Sequence, residues 1–178
     1  MISIIIGTNR IDSNSRTIGD AVKKRLEQQG EECQILDLRG LPGALLHSEM
    51  YTEAGQHNAV AQLQDVYISP VEKFIFIVPE YNGSFPGILK LFLDAVSVRN
   101  YKSNFAGKKA FLIGLASGRL GNAVGLEHLA SVLNYVGTSI FPRRLYLPGI
   151  DSKVTEGELT HPADMDKLNN MVDAFIKY

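Results

Sequence analysis

Phe74-Ile75-Phe76-Ile77-Val78, closed by Pro79, is the stretch on which the fold turns. An apolar run without polar alternation reads as a strand covered on both faces. Glu80-Tyr81-Asn82-Gly83-Ser84-Phe85 then forms a loop, and Pro86 is placed to open a helix running to about Val98. The same grammar recurs on either side. Ile2 to Ile6 and Ala110 to Ala116 are further buried strands, each followed by loop formers. After the first strand, Ile18, Ala21, Val22 and Leu26 share one helical face. Ser13, Asn14 or Ser15 can cap that helix, and Gly30 ends it. Glu32 to Leu38 reads as a strand, and residues 39–57 as an irregular excursion with a turn at Leu41-Pro42-Gly43. A helix is expected over Asn58 to Ser69. Another carries Leu126, Leu129, Ala130, Leu133 and Val136 and is closed by Gly137. Thr138 to Phe141 and Arg144 to Leu147 are short strand candidates around Pro142. Gly149 to Thr160 is polar and turn-rich, and His161-Pro162 opens a last helix facing inward through Met165, Leu168, Met171/Val172 and Phe175.

Buried strands alternating with helices imply an α/β fold, with a parallel sheet and helices on both faces. Right-handed crossovers leave the doubly wound five-stranded sheet of order 2-1-3-4-5 as the natural solution. A single domain spanning 1–178 is expected from the length. In such a sheet the ligand crevice lies outside the carboxyl ends of strands 1, 3 and 4. Residues 7–15, 79–85 and 116–122 are thereby singled out before any motif is considered.

The first of these loops, Gly7-Thr8-Asn9-Arg10-Ile11-Asp12-Ser13-Asn14-Ser15, leads straight into a helix. Unpaired N–H groups and the positive end of the helix dipole favour an anion there. Thr8, Ser13 and Ser15 add hydroxyls, Asn14 an amide and Arg10 a planar fork of donors. The pattern suits a phosphate, and it is neither the P-loop nor the dinucleotide fingerprint. In the second loop, two Pro, two Gly and two aromatics between Pro79 and Gly87 offer rigid backbone to a flat ligand. In the third, Ser117-Gly118-Arg119-Leu120-Gly121-Asn122 presents backbone N–H groups unobstructed at Gly118 and Gly121. Each loop also reads as an ordinary turn with a helix cap; the convergence of all of them on one crevice favours a ligand.

These residues resemble the NADPH-dependent FMN reductase family, which includes chromate, quinone and azo-dye reductases. Its first loop is of the type G-S-x-R-x-x-S-x-N, its second P-E-Y-N-x-S-x-P-G-x-L-K-N, and its third S-x-G. This chain has Gly7 to Ser15, then Pro79-Glu80-Tyr81-Asn82-Gly83-Ser84-Phe85-Pro86-Gly87-Ile88-Leu89-Lys90 with Asp94 following, then Ser117-Gly118. The resemblance runs from Ile2 to about Pro142, with Thr8 in place of the usual Ser and Ser15 where Asn or Thr is common. It implies a flavodoxin-like fold. It implies that Thr8, Arg10, Ser13, Asn14 and Ser15 hold the FMN phosphate. Pro79, Glu80, Tyr81, Asn82 and Gly83 would line the isoalloxazine ring and ribityl chain, and Ser117, Gly118 and Arg119 would close the other side. NADPH or NADH would be the co-substrate. A small acceptor such as a quinone, azo compound, chromate or free flavin would take two electrons in a ping-pong cycle. No catalytic side chain is nominated, because the flavin carries the chemistry.

The remaining features narrow the partners. A formal net charge of −1 gives no basic surplus for nucleic acid and no acidic surplus of the kind that steers flavodoxin-type electron carriers. Such a carrier, or a flavin-binding module without its own NAD(P)H oxidation, is the alternative reading. His47, His57, His128 and His161 lack metal-ligand spacing, and the lone Cys33 reads as a small packing residue, so no metal is expected. Ser117 is not in a G-x-S-x-G context, which speaks against a hydrolase. No apolar run is long enough to span a membrane and no leader is visible, so the cytoplasm is expected. The helix from Pro86 is apolar almost all round, through Ile88, Leu89, Leu91, Phe92, Leu93, Ala95 and Val96. Either it is deeply buried or one face meets another subunit. The family resemblance favours the second, as a homodimer or homotetramer.

Overall fold

The computed structural model describes residues 1–45 and 47–178. Strands β1 (Ile2–Ile6), β2 (Cys33–Asp37), β3 (Lys73–Pro79), β4 (Lys109–Ala116) and β5 (Ser139–Ile140) form a parallel sheet in the order β2-β1-β3-β4-β5. The expected topology holds, with the fifth position divided. Ser139 and Ile140 pair with the base of β4 at Lys109 and Ala110. After a break at Pro142, strand β6 (Leu145–Pro148) pairs with the upper half of β4, Ile113 to Ala116. Proline has no N–H for the ladder, so the interruption falls there.

The uninterrupted apolar strands follow from two cores. In β3, Phe74, Phe76 and Val78 point to one side with Phe92, Leu126 and Leu133. Ile75 and Ile77 point to the other with Ile18, Val22, Leu168 and Phe175. Helices α1 (Asn14–Gln28) and α6 (Pro162–Ile176) thus cover one face of the sheet. Helices α3 (Gly87–Ala95) and α5 (Ala123–Tyr135) cover the other.

Residues 39–57 are irregular as expected, with short 3₁₀ turns among the described residues. Several boundaries differ from expectation. The helix expected over 58–69 is regular only as α2 (Asn58–Leu63) and then widens to a π turn over Gln64–Ile68. Gln64 is fully buried there, and its amide donates to the Arg99 carbonyl at 2.8 Å. The helix expected over 86–98 stops at Ala95. The buried Asn104 side chain takes the Val96 and Arg99 carbonyls, each at 2.7 Å. At the helix end itself, Gln56 Nε2 donates to the Ala95 carbonyl at 2.9 Å and the Ser97 hydroxyl to the Leu93 carbonyl at 2.6 Å. Asn104 sits in a short helix, α4 (Tyr101–Phe105), which has no counterpart in the sequence reading. The polar stretch after Gly149 contains a small hairpin, β7 (Val154–Thr155) with β8 (Glu158–Leu159).

Candidate active site

All of the crevice loops meet at the carboxyl end of the sheet. One residue past β1 the parallel ladder with β3 still continues: the Gly7 N–H donates to the Ile77 carbonyl at 2.8 Å. A Cβ at Gly7 would stand 3.0 Å from that oxygen and 3.1 Å from Leu89, so the chain passes tightly only as glycine. Thr8 is fully buried, and its Oγ1 lies 2.6 Å from the Tyr81 hydroxyl. The loop turns at Asp12, whose φ of +55° is left-handed. Ser13 caps α1: its Oγ accepts from the Ser15 N–H at 3.2 Å. Arg16 turns away to Asp20 and Asp37, and the Asp20 hydrogen bond above all raises its pKa. Arg10 is therefore the guanidinium of this loop that faces the crevice.

The second loop is a tight hairpin. The Tyr81 and Ser84 backbones exchange hydrogen bonds at 2.9 and 3.1 Å, with Asn82 and Gly83 between them at φ of +50° and +75°. Two successive positive φ values are the type I′ turn, for which Asn-Gly is the preferred pair. Asn122, buried at the start of α5, clamps the base of this loop by donating to the Val78 and Pro79 carbonyls at 3.0 and 3.1 Å. Gly125 allows the close packing, since a Cβ there would lie 2.6 Å from the Ser84 backbone. The third loop joins the chain that follows β6, where the Gly149 N–H donates to the Gly118 carbonyl at 3.1 Å.

The hollow enclosed by these segments gathers Arg10, Ser13, Asn14, Pro79, Glu80, Tyr81 and Ser117 of the sequence-nominated residues. Thr8 and Ser15 are buried and do not line it, while Asn82, Gly83, Gly118 and Arg119 are exposed and outside its lining. The sequence reading missed Ile150 and Asp151, which also line it. Asp151 Oδ1 accepts from Asn14 Nδ2 at 2.9 Å. The available signal was the crevice rule itself, because Gly149-Ile150-Asp151 follows the carboxyl end of another strand. A larger hollow of about 670 Å³ lies elsewhere, between Arg143, Arg144 and α6. It contains none of the nominated residues.

One atom speaks directly for an anion. The Ser15 hydroxyl is fully buried in the first turn of α1 and has no hydrogen-bond partner. A buried hydroxyl without a partner is costly unless a ligand completes it. Together with the N-terminus of α1 and with Arg10, which lines the hollow, it makes a donor set that fits a phosphate group. Among the described residues, no cluster of His, Cys, Asp or Glu is arranged to hold a metal ion.

A doubly wound sheet with a phosphate-type helix N-terminus beside a rigid loop defines the flavodoxin-like class of flavin-binding folds. Residues 1–151 match the model of the NADPH-dependent FMN reductase family, and the chain belongs to that family. It is 28% identical over 176 residues to a 2-hydroxy-1,4-benzoquinone reductase of a Burkholderia species, covering 98% of this chain and 93% of that relative. It is 31% identical over 123 residues to an NAD(P)H-dependent FMN reductase of Pseudomonas aeruginosa, covering 69% and 63% of the two. The flavoenzyme NAD(P)H:(acceptor) oxidoreductase FerB of Paracoccus denitrificans has the same fold, with a TM-score of 0.81 at 27% identity over 99% of this chain and 95% of that one. The chain is accordingly an NAD(P)H-dependent oxidoreductase whose cofactor is FMN.

Proposed function

We propose that the chain reduces a small two-electron acceptor, a quinone before an azo compound, chromate or free flavin. The similarity to a benzoquinone reductase across nearly the whole of both chains supports that order. The observation that carries the flavin site is the unpartnered Ser15 hydroxyl, buried in the first turn of α1, the helix whose leading loop brings Arg10 and Ser13 to the hollow. In this reading Thr8, Arg10, Ser13, Asn14 and Ser15 hold the FMN phosphate. The hollow has room for about 150 Å³, which suits a phosphate and sugar chain and leaves a tricyclic ring at its mouth. The backbone from Pro79 to Gly83 then supports the ring, with the hairpin fixed by its own turn and by Asn122. Ser117, Gly118 and Arg119 border the other side. FMN supplies the two-electron chemistry when bound. The protein's part is to orient it through rigid backbone and to leave one face of the ring open.

One open face serves both the nicotinamide and the acceptor, so the two cannot bind productively together. Initial rates with NADPH and a benzoquinone should give parallel double-reciprocal lines. Intersecting lines would mean that both substrates bind at once and would overturn the single-face account.

The chain is further proposed to work as a homodimer or homotetramer in the cytoplasm; among the described residues, no helix is long and apolar enough to cross a membrane. The α3 surface supports assembly in a narrower form than the sequence suggested. Leu93 is 3% exposed and belongs to the core, whereas Ile88 and Leu91 are only half-buried. Ile11 and Leu120, on the crevice loops, are further exposed apolar side chains, 74% and 65% accessible. Light scattering should report a multiple of 19.6 kDa, reduced by Leu91→Glu. A monomer before substitution would contradict this assembly.

A further inference from the structure

We propose that Asp151 is a specificity-determining residue of the phosphate subsite, whose carboxylate limits the affinity for FMN and keeps the flavin exchangeable. The proposal rests on the flavin site described above and extends it to a segment outside the nominated loops. Because β6 pairs with the upper half of β4, it ends at Pro148 opposite Ala116, and the chain arrives at the crevice. Gly149, with φ of +59°, turns it against the third loop. The following 3₁₀ turn (Ile150–Ser152) is fastened by the Ser152 hydroxyl, which donates to the Gly149 carbonyl at 3.0 Å.

This turn delivers Asp151 to the phosphate side of the hollow. Its Oδ1 accepts from the neutral amide of Asn14, the first residue of α1, at 2.9 Å. The next residue along α1 is Ser15, with its unpartnered hydroxyl. A phosphate drawn to the start of α1 therefore comes close to the Asp151 carboxylate. The other charges lining the hollow do not cancel that repulsion: Asp12 and Glu80 add negative charge against the single guanidinium of Arg10. A cradle shaped for a phosphate is thus held below its full affinity by a fixed like charge. Riboflavin has no phosphate and does not meet this penalty.

The test compares the flavin-free protein with Asp151→Asn, which keeps a side-chain oxygen able to accept from Asn14. FMN and riboflavin are titrated by flavin fluorescence at low ionic strength and at about 0.5 M NaCl. Removing one like charge at short range near the surface should lower the FMN Kd about tenfold at low salt. The gain should shrink at high salt, where the Debye length falls to a few ångströms. The riboflavin Kd should stay within about twofold, and FMN should dissociate more slowly from the variant. An FMN Kd that is unchanged or raised in Asp151→Asn would overturn the proposal, as would an equal tightening of riboflavin. Failure of the unsubstituted chain to bind either flavin would instead overturn the flavin site itself, and the proposal with it.

Discussion

Ser15→Ala should make the flavin-free protein more stable and the flavin-bound protein weaker. The Ser15 hydroxyl is buried without a partner in the free chain. Its removal relieves a desolvated polar group, and alanine is the better helix former, so unfolding in urea should shift upward by about 1 kcal/mol. In the complex the same hydroxyl would donate to a charged phosphate, a bond of about 1.5–3 kcal/mol. FMN should therefore bind roughly 10- to 100-fold more weakly to the variant, while riboflavin binds as before. Opposite signs for stability and affinity separate a ligand-directed hydroxyl from a packing residue. A loss of stability with unchanged FMN affinity would mean that Ser15 faces no phosphate.

Phe111→Ala should have the largest effect on folding. Phe111 is fully buried in β4 and lies 5.6 Å, ring centre to ring centre, from both Phe141 and Phe175. Phe175 is on α6, and Phe141 also meets Tyr178, so this cluster docks the last helix on the sheet. Truncating such a side chain leaves a cavity as well as losing transfer energy, typically about 3–5 kcal/mol. Against a total stability of about 5–15 kcal/mol, that is a large fraction. The cluster sits toward the base of β4, away from Ala116 and the crevice. Molecules that remain folded should bind FMN with little change in Kd. A loss below about 1 kcal/mol in urea unfolding would show that α6 is held mainly by other contacts, such as the Arg25–Asp173 ion pair with α1.

The legible parts of this fold are those governed by burial on both sides. Ile2–Ile6, Phe74–Val78 and Ala110–Ala116 are almost wholly apolar because their side chains alternate between two cores, with Ser3 a buried polar exception held by Gln34. That fact sets the strand order and brings the crevice loops together. Features governed by single polar contacts were not legible. Asn104 fixes the chain that follows α3 by donating to the Val96 and Arg99 carbonyls, and no periodicity announces a buried amide. The apolar circumference of α3 could not separate Leu93, in the core, from Leu91 at its edge. Asn82-Gly83, the preferred pair for a type I′ turn, is a legible hairpin signal, and both residues adopt positive φ. Asp151 was legible only through the crevice rule applied to the strand after Pro142, whose pairing with the upper half of β4 carries the chain to the hollow. The hydrogen bond between the Tyr81 hydroxyl and Thr8 Oγ1 joins two of the crevice loops, and no motif announces it.

The central claim is that this single chain, loaded with FMN, oxidises a reduced nicotinamide by itself. The most direct measurement is anaerobic stopped-flow mixing of the FMN-loaded protein with NADPH, and separately NADH, with no acceptor present. Bleaching of the oxidised flavin band, followed by its return when a benzoquinone is added, is the predicted result. A flavin band that stays oxidised with both nicotinamides would contradict the claim and leave an electron carrier dependent on a separate reductase.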